Sequence, residues 1–123
     1  MKLRIKGNTI RFRLSKCEVA DFAEQNFISE TTNFIGNKFN YGLVADPKID
    51  YLDISFIESN LIIKLPLETA KRWTDSNEVG IYHNISTGEG KILQLTIEKD
   101  FKCLDETIED QSDNYENPLV SKN

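Results

Sequence analysis

The residues best placed to do chemistry stand at the start of the chain. Lys2, Arg4, Lys6, Arg11, Arg13 and Lys16 occupy the first sixteen positions with no acid among them. A two-residue turn at Gly7-Asn8 would set Arg4 opposite Arg11 and Lys2 opposite Arg13 on one face of a hairpin. Like charges directly opposed across two strands destabilise them unless anions lie between. Phosphates of a nucleic acid are such anions, and contacts to them fix position while reading little sequence. Lys2, Arg4, Lys6, Asn8, Arg11 and Arg13 are therefore the candidate nucleic-acid or anion-binding residues. The competing reading is that acids of the same chain neutralise the face, either Glu18, Asp21 and Glu24 just downstream or a C-terminal acidic run. In a combined reading the acidic run screens the basic face and a partner displaces it.

Signs of catalysis are few. His83 is the only histidine, so a multi-histidine metal site or a Ser/His or Cys/His pair would have to be built around it. It falls in an expected strand, as an ordinary half-exposed residue. Cys17 sits in the first turn of an expected helix, where its thiol pKa could fall, but a small buried filler is the plainer role. Ser86-Thr87-Gly88-Glu89-Gly90-Lys91 lacks the G-x-x-x-x-G-K-[ST] spacing of a phosphate loop and reads as a hairpin loop. Glu98-Lys99-Asp100 carries oxygen ligands without the D-x-D-x-D-G order of a calcium loop. No catalytic residue, cofactor or metal is called for. The aromatics fall at core spacings and are not interleaved with basic residues, so most are expected inside.

The elements that must hold these residues read as a repeat. Leu3 and Ile5, then Ile10, Phe12 and Leu14, alternate with the basic residues as a β-hairpin, pairing Ile5 with Ile10 and Leu3 with Phe12. Ser15 and Glu18 form the S-x-x-E pattern of a helix capping box. Val19, Phe22 and Ala23 give that helix one apolar face, which gives out near Asn26. Strands are expected at Phe27–Phe34 and Lys38–Ala45, around a turn at Gly36-Asn37. Shifted by 51 positions the plan recurs: Leu14 falls on Leu65, Ser15 on Pro66, Val19 on Ala70, Phe22 on Trp73, Ile28 on Val79 and Asn33 on Asn84. Pro66 suits a first helical turn, and strands are expected at Tyr51–Ile57, Leu61–Leu65, Val79–Ile85 and Lys91–Glu98. The expected fold is mainly β with two short helices (α+β): duplicated ββαββ units, about 1–46 and 52–97, sharing one core about a pseudo-twofold axis. They would form a compact barrel or two-sheet domain over 1–104, with exposed sheet edges removed. Residues 105–123 are acidic and poor in apolar groups and read as a tail.

The chain has 123 residues, 39% hydrophobic and 28% charged, with a net charge of −5. That composition suits one water-soluble globular domain. No apolar run approaches the length of a membrane span. Two cysteines without CxxC spacing, and an N-terminus that alternates rather than running apolar, point to free thiols in the cytoplasm. A monomer and a homodimer are both compatible with a self-contained pseudo-dimer.

Two resemblances bear on function. The stretch IKGNTIRFRLSKCEVADFAEQNFISETTNF, and again SNLIIKLPLETAKRWTDSNEVGIYH, resembles the N-terminal module of the AbrB/MazE/SpoVT family of swapped-hairpin regulators and antitoxins, of which MraZ-type members carry two units per chain. The resemblance implies interleaved ββαββ units and DNA contacts from the first hairpin, through Arg4, Lys6, Asn8, Arg11 and Arg13. The second copy departs from it: Asp53 and Lys64 stand for Lys2 and Arg13, and Ser55 and Ile62 for Arg4 and Arg11. The segments MKLRIKGNTIRFRLS, WTDSNEVGI and IEKDFKCL together resemble an uncharacterised family of conserved bacterial proteins, which brings no activity with it. The function expected is a non-enzymatic binding domain for a protein or other anionic partner and not for a membrane. The alternative is a DNA-binding regulator or antitoxin.

Overall fold

The computed structural model describes residues 1–100; the expected acidic tail at 105–123, and Cys103, lie outside the described residues. The elements run β1 (Lys2–Lys6), β2 (Thr9–Leu14), α1 (Lys16–Gln25), β3 (Phe27–Phe34), β4 (Asn37–Asp46), β5 (Asp53–Ile57), β6 (Asn60–Pro66), α2 (Leu67–Thr74), β7 (Gly80–Gly88) and β8 (Lys91–Lys99).

Local sequence explains most of these elements. In β2 and β6 every second side chain is buried, as a strand with one face on a core requires. Gly7 supplies the positive φ (55°) that the β1–β2 turn needs. The Ser15 hydroxyl accepts from the Glu18 N–H and the Glu18 carboxylate accepts from the Ser15 N–H, so the capping box forms; Asn26, left-handed at φ 61°, ends α1. Pro66 occupies the N-cap position of α2 instead of its first turn, and no side chain caps that helix. Its extended φ and ψ (−56°, 140°) complete β6 before the helix begins.

Pairing is where the two copies meet. One sheet has the order β1-β2-β8-β7 and the other β3-β4-β6-β5. Each therefore joins the first hairpin of one copy to the second hairpin of the other, through a central parallel pair, β2–β8 or β4–β6. The two parallel ladders are related: Thr9 pairs with Gln94 and its counterpart Asn60 with Asn40. The Gln94 N–H donates to the Asn8 carbonyl (2.8 Å) as the Asn40 N–H donates to that of Ser59 (2.9 Å). These matches hold the offset at 51 for the first hairpin and the helix, but they raise it to 53 in β7 and 54 in β8. Ile28, opposite Leu43, answers to Ile81, opposite Ile97, and not to Val79. The extra residues lie in the α2–β7 connection and in the bulged β7–β8 turn, where a 51-residue alignment slips.

The sheets do not close into a barrel. Each has its own ends, so among the described residues β1, β7, β3 and β5 are edge strands, contrary to the expectation that edges are removed. Inner faces and helices share one core: Phe12, Leu14, Leu95 and Ile97 from one sheet, Leu43, Ile63 and Leu65 from the other, Phe22 from α1 and Trp73 from α2. Phe22 and Trp73 are both buried, as counterparts. The Trp73 indole N–H donates to the Val79 carbonyl (3.2 Å), and the Lys99 ammonium lies 5.5 Å from its ring. The helices stand at one end of the sheets and the hairpin turns at the other. Of the aromatics expected inside, Phe12, Phe22 and Trp73 are buried and Phe39 and Tyr41 pack against the core, but Phe27, Phe34, Tyr51, Phe56 and Tyr82 are exposed. Strand spacing alone cannot tell the buried middle of a strand from its ends.

Candidate anion-binding face

The hairpin register brings the basic residues together. Lys2 pairs with Arg13 and Arg4 with Arg11, while Leu3 pairs with Phe12 and Ile5 with Ile10 on the core side. Lys2, Arg4, Arg11 and Arg13, with Leu3, line a groove of about 380 Å³. Lys6 pairs with Thr9 beside the turn and stands outside that lining. Asn8 anchors the turn to β8, because its side-chain amide donates to the Ile92 carbonyl (3.3 Å) and its own carbonyl accepts from Gln94.

The acids that answer this face are not the expected helical ones. Pairing of β2 with β8 places Glu98 beside Arg13, and its carboxylate lies 3.7 Å from both the Arg11 Nε and an Arg13 terminal nitrogen. Asp100 lies 3.6 Å from the Lys2 ammonium. The Tyr82 hydroxyl donates to Glu98 from the far side (3.2 Å). Among the described residues five cations thus share one face with two carboxylates. The buried Arg11 Nε makes no hydrogen bond there, since 3.7 Å is too long for one. Glu98 and Asp100 are far from the hairpin in sequence, and only the parallel β2–β8 ladder exposes their role.

Glu18 is committed elsewhere. Its carboxylate and that of Glu30 hold the Met1 ammonium, while the Tyr41 hydroxyl lies 3.2 Å from the Met1 carbonyl and 3.4 Å from Glu30. Burial of the ammonium works against its charge, but the hydrogen bonds from Glu18 and Glu30 prevail and raise its pKa above the ordinary value of 8.0. Burial likewise disfavours the charged form of Glu18. The bonds from the Met1 ammonium and the Ser15 N–H outweigh it and hold the carboxyl below its ordinary value. Burial and the neighbouring Glu30 carboxylate push the Tyr41 phenol up. This cluster ties β1, α1 and both strands of the β3–β4 hairpin together at the helical end. No motif in the sequence signals it, because its cation is the chain terminus.

The matching face of the second copy pairs Asp53 with Lys64 and Ser55 with Ile62, so its charges cancel. His83 is half-buried in β7, opposite Leu95. Cys17 is exposed, not a buried filler, because the first turn of α1 turns that position outward. Ser86–Lys91 spans the β7–β8 turn, in which Gly88, Glu89 and Gly90 all have positive φ. No three or more His, Cys, Asp or Glu side chains converge as a metal site among the described residues, and none of the helices described is long and apolar enough to cross a membrane. A family model described as a family of unknown function (DUF7009) matches residues 1–119. No curated protein and no solved structure matches the chain.

Proposed function

Since the chain belongs to the DUF7009 family, whose function is unknown, we propose from its own geometry that it is a non-enzymatic binding module that takes an anionic partner on the outer face of β1 and β2. The observation that carries this reading is the excess of cations there: Arg4 opposite Arg11 and Lys2 opposite Arg13, answered by Glu98 and Asp100. Charges so crowded repel one another when the face is empty and are relieved by a bound anion. The exchange of hairpins between the two copies favours one partner in particular, duplex DNA gripped through its phosphates as in the AbrB-like modules. The neutral face of the second copy argues for a one-sided contact in place of a symmetric operator clamp.

Fluorescence anisotropy of a labelled duplex, and separately of a polyglutamate peptide, at two salt concentrations tests both readings. Salt-sensitive binding that falls in Arg4→Ala/Arg11→Ala supports the module. DNA binding tighter than polyglutamate binding supports the nucleic-acid form. No binding of either polyanion at low salt sinks the proposal.

A further inference from the structure

The end of the molecule opposite the helices carries an apolar hole and an apolar knob. The hole is a groove of about 380 Å³ lined by Ile5, Ile10, Phe39, Phe56, Leu61 and Leu93. Under the offsets above, these residues form three pairs of counterparts: Ile5 with Phe56, Ile10 with Leu61, and Phe39 with Leu93. The groove therefore lies on the pseudo-twofold axis, between the β1–β2 and β5–β6 turns. Ile5 and Phe56 remain 57% and 66% exposed at its rim.

The knob is the tip of the β3–β4 hairpin. Asn40 is level with the β5–β6 turn through its bond to Ser59, and the chain continues four residues further to Gly36, about 13 Å at the ordinary strand rise. At that tip Phe34 is 61% and Ile35 105% exposed. An isoleucine standing wholly in water on a projecting turn has no role in this fold. The corresponding β7–β8 tip, Thr87-Gly88-Glu89-Gly90, is polar, so the two projecting hairpins are unlike in the way that a knob requires.

We propose that this end is an interface between two copies of the chain, with Phe34 and Ile35 of each seated in the groove of the other. Hole and knob lie at the same end, so two copies meeting end to end about a twofold axis satisfy both contacts at once and close the assembly. Charge supports that geometry. The turns flanking the groove carry Lys6 on one side and Glu58 on the other. A twofold axis perpendicular to the pseudo-twofold sets Lys6 of each copy over Glu58 of its partner, twice per dimer. The outer face of β1 and β2 stays open, so the inference is independent of the anion-binding reading.

Sedimentation velocity of the full chain, over a concentration series reaching the high micromolar range, tests it. The wild type is expected to run as a dimer, and Ile35→Asp to raise the dimer dissociation constant about tenfold or more. Because Ile35 is wholly exposed, an unchanged circular dichroism spectrum is expected of that variant. Lys6→Glu is expected to weaken the dimer and Lys6→Glu/Glu58→Lys to restore it. A wild type that stays monomeric throughout, or a dimer that Ile35→Asp leaves intact, overturns the proposal. So does a monomer that carries a small apolar molecule in native mass spectrometry.

Discussion

Replacing Glu98 by Gln should weaken the fold slightly and strengthen polyanion binding. The carboxylate lies 3.7 Å from Arg11 and from Arg13. Coulomb's law gives about 1 kcal/mol for each such pair in water and about 4 kcal/mol at an effective dielectric constant of 20. The two arginine side chains are 36% and 31% exposed, so the net contribution belongs near the measured range for accessible pairs, about 0.2–1 kcal/mol each. With the Tyr82 hydrogen bond also weakened, a loss of about 1–2 kcal/mol in unfolding free energy is expected.

Binding should move the other way. One more phosphate contact steepens the fall of log K with log salt by about 0.9. If affinity at 1 M salt is unchanged, that slope gives about eightfold tighter binding at 0.1 M, and about 3.5-fold greater loss between 50 and 200 mM. Anisotropy titrations of a labelled duplex at those salts measure both quantities. Glu89→Gln on the β7–β8 turn, away from the face, makes the same change in net charge and serves as the control. Equal effects from the two variants, or no gain from Glu98→Gln, would refute the claim that Glu98 competes locally with the ligand.

Trp73→Phe should lose about 1–2 kcal/mol by orphaning the Val79 carbonyl, and Trp73→Ala about 3–5 kcal/mol by opening a cavity; urea titrations separate the two. Gly42→Ala should destabilise by about 1–3 kcal/mol, since a Cβ there would lie 2.5 Å from the Ile28 carbonyl oxygen; a thermal melt no lower than wild type would contradict the close β3–β4 packing. The Met1 cluster should give stability a plateau in pH. Glu18 has a lowered folded pKa, so its contribution is present above its ordinary 4.5 and is lost as pH falls through the folded value; Met1 has a raised one, so its contribution is complete below 8.0 and is lost as pH rises through the folded value. Urea midpoints across pH should therefore lose the alkaline flank when the N-terminus is acetylated, and both flanks in Glu18→Gln/Glu30→Gln. Unchanged flanks would exclude the cluster as their source.

Short-range chemistry let the sequence alone determine the local elements and the basic hairpin. Alternation, the Gly7-Asn8 turn and the Ser15–Glu18 box act over a few residues, so they fix the β1–β2 register and the start of α1 whatever surrounds them. The duplication was legible for the same reason, as far as the offset of 51 held. Three things waited for tertiary structure. Glu98 and Asp100 reach the basic face only because β8 lies parallel to β2, and pairing between residues some 85 positions apart leaves no local pattern. The ammonium of Met1 became a structural cation only when α1, β3 and β4 brought Glu18, Glu30 and Tyr41 to it. The aromatics divided into buried and exposed according to whether their strand position met the opposite sheet or ran past it. Periodicity gives the face a side chain takes. Whether anything packs against that face is decided by the rest of the chain.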